Sequence, residues 1–248
     1  AAAYLPRDKF PYVFNPCAIK TGSKLVMLDT GLGPEIYAQS KGQAGQAHAN
    51  LEAAGIDRKA VDVVIISHFH ADHINGLLNA DGTPAFPNAE VMVPEPEWAY
   101  WMDDAKMSAA PEGLKSNFAN VRRVFKPLGD RVTRYGDNKE LVPGITSMFT
   151  FGHTPGHSSH IVTSGSEIVL FQADVSNHPA LFVRHPDWHA SFDMDPVMAE
   201  GVRRKVYDQL AADRMKVQGF HFPFPSNGYI EKDGRGYRFV PAQWNPVI

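Results

Sequence analysis

The apolar residues of this chain fall into short β-branched runs separated by polar, glycine-rich turns, and those runs predict most of its strands. VDVVII (residues 61–66) is a six-residue run of the kind that forms a strand buried on both faces. KLVMLD (24–29) runs into the turn TGLG, and the helical pattern of 43–54 is closed by Gly55. Strand, turn, helix and strand in that order predict an α/β protein. Farther along, the pattern predicts a helix near 74–79, a strand at EVMV (90–93) and an aromatic helix around 98–102. Residues 145–151 and 167–171 read as strands on either side of GHTPGHSSH. Asp195 followed by Pro196 is an N-cap and first-turn pair opening a helix, with Met198, Val202, Val206 and Leu210 as its expected buried stripe. YIEKDGRGYRFVP holds two β runs around DGRG and predicts a hairpin.

Composition changes this picture mainly by exclusion. With 248 residues, 44% hydrophobic and 21% charged, the chain has an ordinary globular composition, and a single domain over 1–248 is expected. A net charge of −3 with scattered Lys and Arg leaves no basic stripe for a phosphate backbone, so no nucleic-acid partner is expected. No apolar run approaches the roughly 20 residues that cross a bilayer, and no membrane partner is expected either. No charged-then-apolar leader and no initiator Met open the chain, which leaves the compartment open. The single Cys17 excludes an internal disulfide and a cysteine zinc cage, and reads as a small core residue. A homodimer is left open.

The chemistry is concentrated in SHFHADHING (67–76), where His68, His70, Asp72 and His73 lie within six positions just past the 61–66 strand. Buried imidazoles and carboxylates without partners cost free energy, so a cluster of this kind needs something to satisfy it. The C-terminal edge of strands is where α/β folds place their sites. In an extended segment His68 and His70 share a face; Asp72 follows, and His73 requires a turn. Three more residues of ligand type follow apolar strands: His153 after ITSMFTF, Asp174 after EIVLFQA and His221 after KVQGF. Five imidazoles and two carboxylates without thiolate suit zinc or a similar divalent ion in an open, catalytic site, with iron, manganese or cobalt as alternatives. Seven ligands imply two metals. The expected assignment is His68, His70 and His153 on one ion, Asp72, His73 and His221 on the other, and Asp174 bridging. Asp29 is expected to accept the second ring N–H of a ligand histidine, or else to cap the TGLG turn.

HFHADH, then GHTPGH, then an Asp after an apolar strand and a late His, with LDTG upstream, resembles the metallo-β-lactamase-fold hydrolases over most of the chain. TGSKLVMLDTG, AFPNAEV, LVPGI, GHTPGHSS and GRGYRFVP are similar to the branch containing methyl parathion hydrolase and related lactonases and esterases. The resemblance implies an αββα sandwich, two mixed sheets with helices outside, and places the family ligands on the same seven positions. Three departures stand out. Only a short, Pro-broken segment precedes TGSKLV where the family begins with a strand pair, so the first sheet is expected to look incomplete. Ala173 stands where the family commonly has Gly. VSNHP follows Asp174, without the Tyr that assists the substrate carbonyl in the quorum-signal lactonases.

The remaining histidines and aromatics are read against their ordinary roles. His48, His160, His185 and His189 are expected to be structural, His178 a surface-loop residue with reach into the pocket as the alternative, and His157 a support for the loop bearing His153. Phe182, Trp188 and Phe222, near ligands in sequence, are the expected walls of an apolar substrate pocket. These readings together describe a dinuclear hydrolase in which a bridging hydroxide attacks small neutral esters, lactones or phosphotriesters, with Asp72 orienting the hydroxide or moving its proton. A β-lactamase or thioesterase of the same fold and a non-catalytic metal-binding module are the alternatives. Against the thioesterase stands the short tail after His221. Against a β-lactam carboxylate stands the scarcity of cations, with Arg184 the one nearby.

Overall fold

The structure is a computed structural model, described here for residues 4–6 and 8–243. The described residues form two compact units, one made of Pro16–Phe149 with Thr154–Ser158 and the other of the remainder.

In the first unit, β1 (Cys17–Thr21), β2 (Lys24–Leu28), β3 (Val63–Ile65), β4 (Glu90–Pro94) and β5 (Val132–Tyr135) form a sheet in that spatial order. β1 and β2 are an antiparallel pair, and the pairs from β2 to β5 are parallel. β3 lies in the middle with every residue buried, which is why its sequence is a continuous β-branched run rather than an alternating one. The helices α1 (Gly33–Gln39), α2 (Ala47–Ala53), α3 (Ala71–Ile74), α4 (Glu95–Trp101), α5 (Asp104–Ala109) and α6 (Glu112–Phe125) belong to this unit, as does the β6 (Glu140–Val142) and β7 (Ile145–Phe149) hairpin. α6 buries Phe118, Val121, Val124 and Phe125, a stripe at helical spacing.

In the second unit, β8 (Ser158–Ser164), β9 (Glu167–Phe171), β10 (Lys216–Gln218), β11 (Asn227–Asp233) and β12 (Gly236–Pro241) form a sheet ordered β12-β11-β10-β9-β8. β9 and β10 are parallel and the other pairs antiparallel. A parallel pair needs a crossover, and the segment between β9 and β10 supplies it with α7 (Pro196–Asp213). The expected hairpin closes at Asp233 opposite Gly236. Both sheets are mixed, in the α/β class that the sequence predicts. No helix among the described residues is long and apolar enough to cross a membrane.

Several boundaries differ from expectation. The helix expected near 74–79 begins at Ala71 and is a single turn continued as 3-10 helix, so Asp72 and His73 are helical. The aromatic helix starts at Glu95, directly after β4. Asp195 caps α7 as expected, accepting from the Met198 amide at 2.9 Å, but the buried stripe is Ala199, Arg203, Val206, Tyr207 and Leu210. Met198 is exposed and Val202 half-buried. The stripe is rotated because Arg203 is buried: its guanidinium donates to the carbonyls of Val175, Pro186 and Trp188, which satisfies a group that sequence assigns to the surface.

Candidate metal centre

In the first unit the four clustered residues sit on the loop and turn that leave β3. His73 Nδ1 donates to Asp29 Oδ2 at 2.8 Å. The other Asp29 oxygen accepts from the Ser67 amide at 2.8 Å, and Ser67 Oγ donates to Asp29 Oδ2 at 2.8 Å. With its hydrogen given to Asp29, the Ser67 hydroxyl accepts from His68 Nδ1, 3.0 Å away. Both imidazoles therefore carry their proton on Nδ1 and turn an Nε2 lone pair outward. His68 Nε2 lies 3.1 Å from His70 Nδ1, and His73 Nε2 lies 3.5 Å from Asp72 Oδ2. His157 is buried with its ring centroid 5.0 Å from that of His68.

The LDTG turn and the cluster are locked by backbone as well. Thr30 donates to the His73 carbonyl from both its amide, at 2.9 Å, and its hydroxyl, at 2.7 Å. Gly76 follows α3 so closely on this turn that a Cβ there would sit 2.0 Å from the Thr30 carbonyl oxygen, which excludes any other residue. Glu97, fully buried on α4, is a second fixing point that the sequence did not disclose. Its oxygens accept from the Phe69 amide at 3.0 Å, Trp101 Nε1 at 2.8 Å, Thr154 Oγ1 at 2.9 Å and the Gly156 amide at 2.7 Å. Burial pushes this carboxyl above the ordinary range, against the pull of its four donors.

In the second unit, His153 Nδ1 donates to Asp193 Oδ1 at 2.7 Å, and Arg203 holds the far oxygen of Asp193 at 3.4 Å. His221 Nδ1 donates to the carbonyl of Val13 at 2.8 Å. Both rings again turn Nε2 outward, and both meet one atom: Asp174 Oδ2, 3.3 Å from His153 Nε2 and 3.1 Å from His221 Nε2. Asn177 Nδ2 donates to the same oxygen at 2.9 Å. In the neutral tautomers no proton lies between these imidazole lone pairs and the carboxylate. Such an arrangement is favourable when a cation takes the proton's place. The donor set thus fits divalent metal, and the backbone and carboxylate partners at Nδ1 are the outer contacts that orient metal-binding histidines.

A cavity of about 420 Å³ opens in this unit, lined by Phe10, Tyr12, Asn177, His178, Phe182 and Phe192 among others. Its wall touches all three donors: Tyr12 stacks on His221 with centroids 4.4 Å apart, Phe192 meets the His153 ring edge-on at 5.7 Å, and Asn177 holds Asp174. Of the expected pocket residues Phe182 lines this cavity. Trp188 instead stacks on His185 at the surface, and Phe222 is buried against Phe239. His178 takes the second of its two readings: it is 4% exposed and lines the cavity, because it caps the π-helical turn Pro179–Val183 and lies under Phe10.

The family model described as the metallo-beta-lactamase superfamily matches residues 15–215. The chain belongs to that superfamily. An N-acyl homoserine lactonase, AttM, of Azorhizobium caulinodans is 30% identical over 122 residues, covering 46% of this chain and 40% of the relative. One from Bacillus cereus is 28% identical over 127 residues, covering 51% and 43%. The match thus spans less than half the length of these curated relatives. Among solved structures, AidC, described as a dizinc quorum-quenching lactonase in complex with a product, superposes with a TM-score of 0.86 at 28% identity, over 94% of this chain and 81% of that one. AbOPH, described as a hydrolase in the beta lactamase superfamily, gives 0.88 at 25% identity over 98% and 84%. The two mixed sheets with helices are accordingly those of the metallo-β-lactamase fold.

Asp193, Asn177, Arg203, Glu97 and the Val13 carbonyl are the contributors that sequence reasoning missed. Asp193, in SFDMD, is one of several acids between the last two candidate ligands, and nothing in the sequence separates it from the others. A backbone carbonyl leaves no mark at all.

Proposed function

We propose that this protein is a dinuclear metal-dependent hydrolase of small neutral esters, with lactones first among them. The observation that carries the reading is the pair of Nε2 lone pairs, from His153 and His221, that meet one oxygen of Asp174 beside an apolar cavity. One carboxylate facing two imidazoles is the arrangement of a bridging ligand between two ions. His68, His70 and His153 would hold one ion, Asp72, His73 and His221 the other, with Asp174 shared. Zinc is the first candidate from the imidazole and carboxylate donors.

Two divalent ions supply a Lewis acid for a carbonyl or phosphoryl oxygen and acidify a water toward neutral pKa. The chain's own residues do the rest. Asp29, Ser67, Asp193 and Val13 fix ring tautomers so that each Nε2 is ready to bind without rearrangement. Asp72, whose side chain is 19% exposed beside the fully buried His73, would take and release a proton. Phe10, Tyr12, Phe182 and Phe192 give the substrate's apolar part a surface away from water. Among the described residues no Lys or Arg lines the cavity, and Arg184 is exposed outside it, which favours neutral substrates over a β-lactam carboxylate. The names of the relatives add the lactone ring to this class.

The test is metal content by elemental analysis together with a hydrolysis panel of lactones, aryl esters, phosphotriesters and a cephalosporin on metal-loaded protein. Two metals per chain and lactone or ester turnover are expected. Asp174→Ala should lower occupancy at both sites and His221→Ala mainly at one. Saturation at a single metal would end the dinuclear reading, and a preference for the cephalosporin over every neutral substrate would end the substrate reading.

A further inference from the structure

The cavity holds one polar group whose chemistry is not absorbed by the metal centre. His178 Nδ1 accepts from the Ala180 amide at 3.1 Å. A ring nitrogen that accepts is unprotonated, so the single hydrogen of the neutral imidazole is on Nε2. Burial holds the ring's pKa below its ordinary value, which keeps it neutral near pH 7. Nε2 is buried and has no hydrogen-bond partner among the described residues. The nearest ring is Phe10, edge-on at 4.7 Å, which offers no oxygen. Two neighbouring polar residues of the lining have partners of their own: Asn177 donates to Asp174 and to Tyr12 Oη, and His189 pairs with Glu200. A buried donor left unmatched costs about 1–3 kcal/mol, so the site selects for whatever brings it an acceptor.

We propose that His178 is a specificity-determining residue of this cavity, its Nε2–H donating to an acceptor oxygen on the non-reacting part of a neutral substrate that also carries an apolar arm. An amide or ester carbonyl has the required chemistry. An ammonium or an N–H donor does not, because a donor cannot satisfy a donor. A cavity walled by Phe10, Phe182 and Phe192 with one unmatched buried N–H among its lining residues matches a ligand that is aliphatic or aromatic along most of its length and polar at one point. The inference rests on the cavity being the substrate site of the hydrolase proposed above.

The experiment compares two lactones on the metal-loaded enzyme: N-hexanoyl homoserine lactone, which has an amide carbonyl outside the ring, and a γ-alkyl lactone of equal length without one. The readout is the ratio of their kcat/KM values in the wild type, His178→Phe and His178→Gln. His178→Phe keeps the ring and removes the donor, and should lower the ratio by about 10- to 100-fold, mainly through KM of the amide substrate. His178→Gln restores an N–H near the Nε2 position and should recover most of it. An unchanged ratio in His178→Phe, or equal losses on both lactones with no recovery in His178→Gln, would overturn the proposal. Should the wild type hydrolyse neither lactone, the functional reading fails by itself, and His178 is then tested by calorimetric titration with N-butylhexanamide. Binding that weakens in His178→Phe and recovers in His178→Gln supports the role; absence of binding, or equal binding by all three proteins, overturns it.

Discussion

Glu97→Gln is a one-atom change whose cost follows from four distances. Both carboxylate oxygens of Glu97 face donors only, two each: the Phe69 amide and Trp101 Nε1 on one, Thr154 Oγ1 and the Gly156 amide on the other. An amide must turn its NH2 toward one of these pairs. The cheaper choice is the Thr154 side, where the hydroxyl can rotate to accept, but the Gly156 N–H is then buried without an acceptor at about 1–3 kcal/mol. The two bonds that remain change from charge-assisted to neutral and lose about 1 kcal/mol each. Against this, glutamine no longer buries a charge, and that burial is what pushes the Glu97 pKa up. A protonated carboxyl would keep two acceptor oxygens, whereas the amide keeps one, so the amide is the poorer substitute even for the neutral acid. The net expectation is a destabilisation of about 2 kcal/mol, or about 4–8 °C in Tm for a domain of this size.

The consequence for the site is specific. Phe69 lies between His68 and His70, and Thr154 to Gly156 follow His153 in the chain, so the second stretch loses its tether at Gly156 while the first keeps a weaker one at Phe69. Gly156 packs so tightly on α4 that a Cβ would sit 2.1 Å from the Glu97 amide, which leaves the loop no room to compensate by shifting inward. Thermal unfolding of metal-loaded and chelator-treated protein is the assay, with Thr154→Val as the control that removes one donor. A Glu97→Gln protein as stable as the wild type, or more stable, would refute the reasoning and show that charge burial outweighs the four bonds.

Three further outcomes are expected. Ala173 is fully buried at φ +49°, a left-handed conformation that glycine adopts without steric cost, so Ala173→Gly should leave stability unchanged or raise it by up to about 1 kcal/mol; a clear loss in denaturant titration would contradict this. Asp193→Ala removes the acceptor of His153 Nδ1 and the anion beside Arg203, and should weaken metal binding about 10- to 100-fold in competition with a chelating dye; unaltered affinity would mean that His153 needs no such partner. Burial pushes the His160 pKa down to about 3, below its unfolded value, so the stability this residue contributes is full above pH 6.5 and is lost as pH falls from there toward 3, by about 1.4 kcal/mol per pH unit. His160→Gln should flatten the acid limb of stability against pH by one proton; an unchanged slope would refute the burial argument.

What could be read from sequence was whatever a side chain's identity decides. The apolar runs located β2, β3, β4 and β9, because a buried strand has no choice but to be apolar, and Asp195-Pro196 located the start of α7 because capping is local chemistry. The clustered His and Asp residues were legible for the same reason: buried polarity without an obvious use calls for a ligand. The stripe of α7 was not, since it turns on a buried Arg203 whose partners are carbonyls at Val175, Pro186 and Trp188. Nor was β1, a strand with alternating rather than continuous burial in a segment that reads as irregular. Sequence left His178 between surface and pocket because its burial comes from Phe10, far away in the chain. Long-range contacts to backbone leave no residue type behind to recognise.

The same distinction grades the candidate ligands. Four imidazoles present Nε2 because their Nδ1–H is held, but the holders differ: a carboxylate, Asp29, for His73; a second carboxylate, Asp193, for His153; a neutral hydroxyl, that of Ser67, for His68; and a neutral carbonyl, that of Val13, for His221. A carboxylate partner raises the basicity of the ring it holds more than a carbonyl does, because it stabilises positive charge spreading into the imidazole. In the proposed assignment each ion therefore receives one strongly polarised ring, His153 on one and His73 on the other, and the weaker donor His221 is added to the ion that Asp72 also serves. The carbonyl that holds His221 belongs to the same stretch as Tyr12, which stacks on that ring and takes a hydrogen bond from Asn177, and as Phe10, which covers His178. Residues 10–15 thus set the tautomer of one ligand and line the cavity that would take the substrate. In the proposed assignment a substrate in that cavity would rest against Phe10 and Tyr12, in the segment whose Val13 carbonyl holds His221, so a change of shape there would reach the ring offered to the second ion.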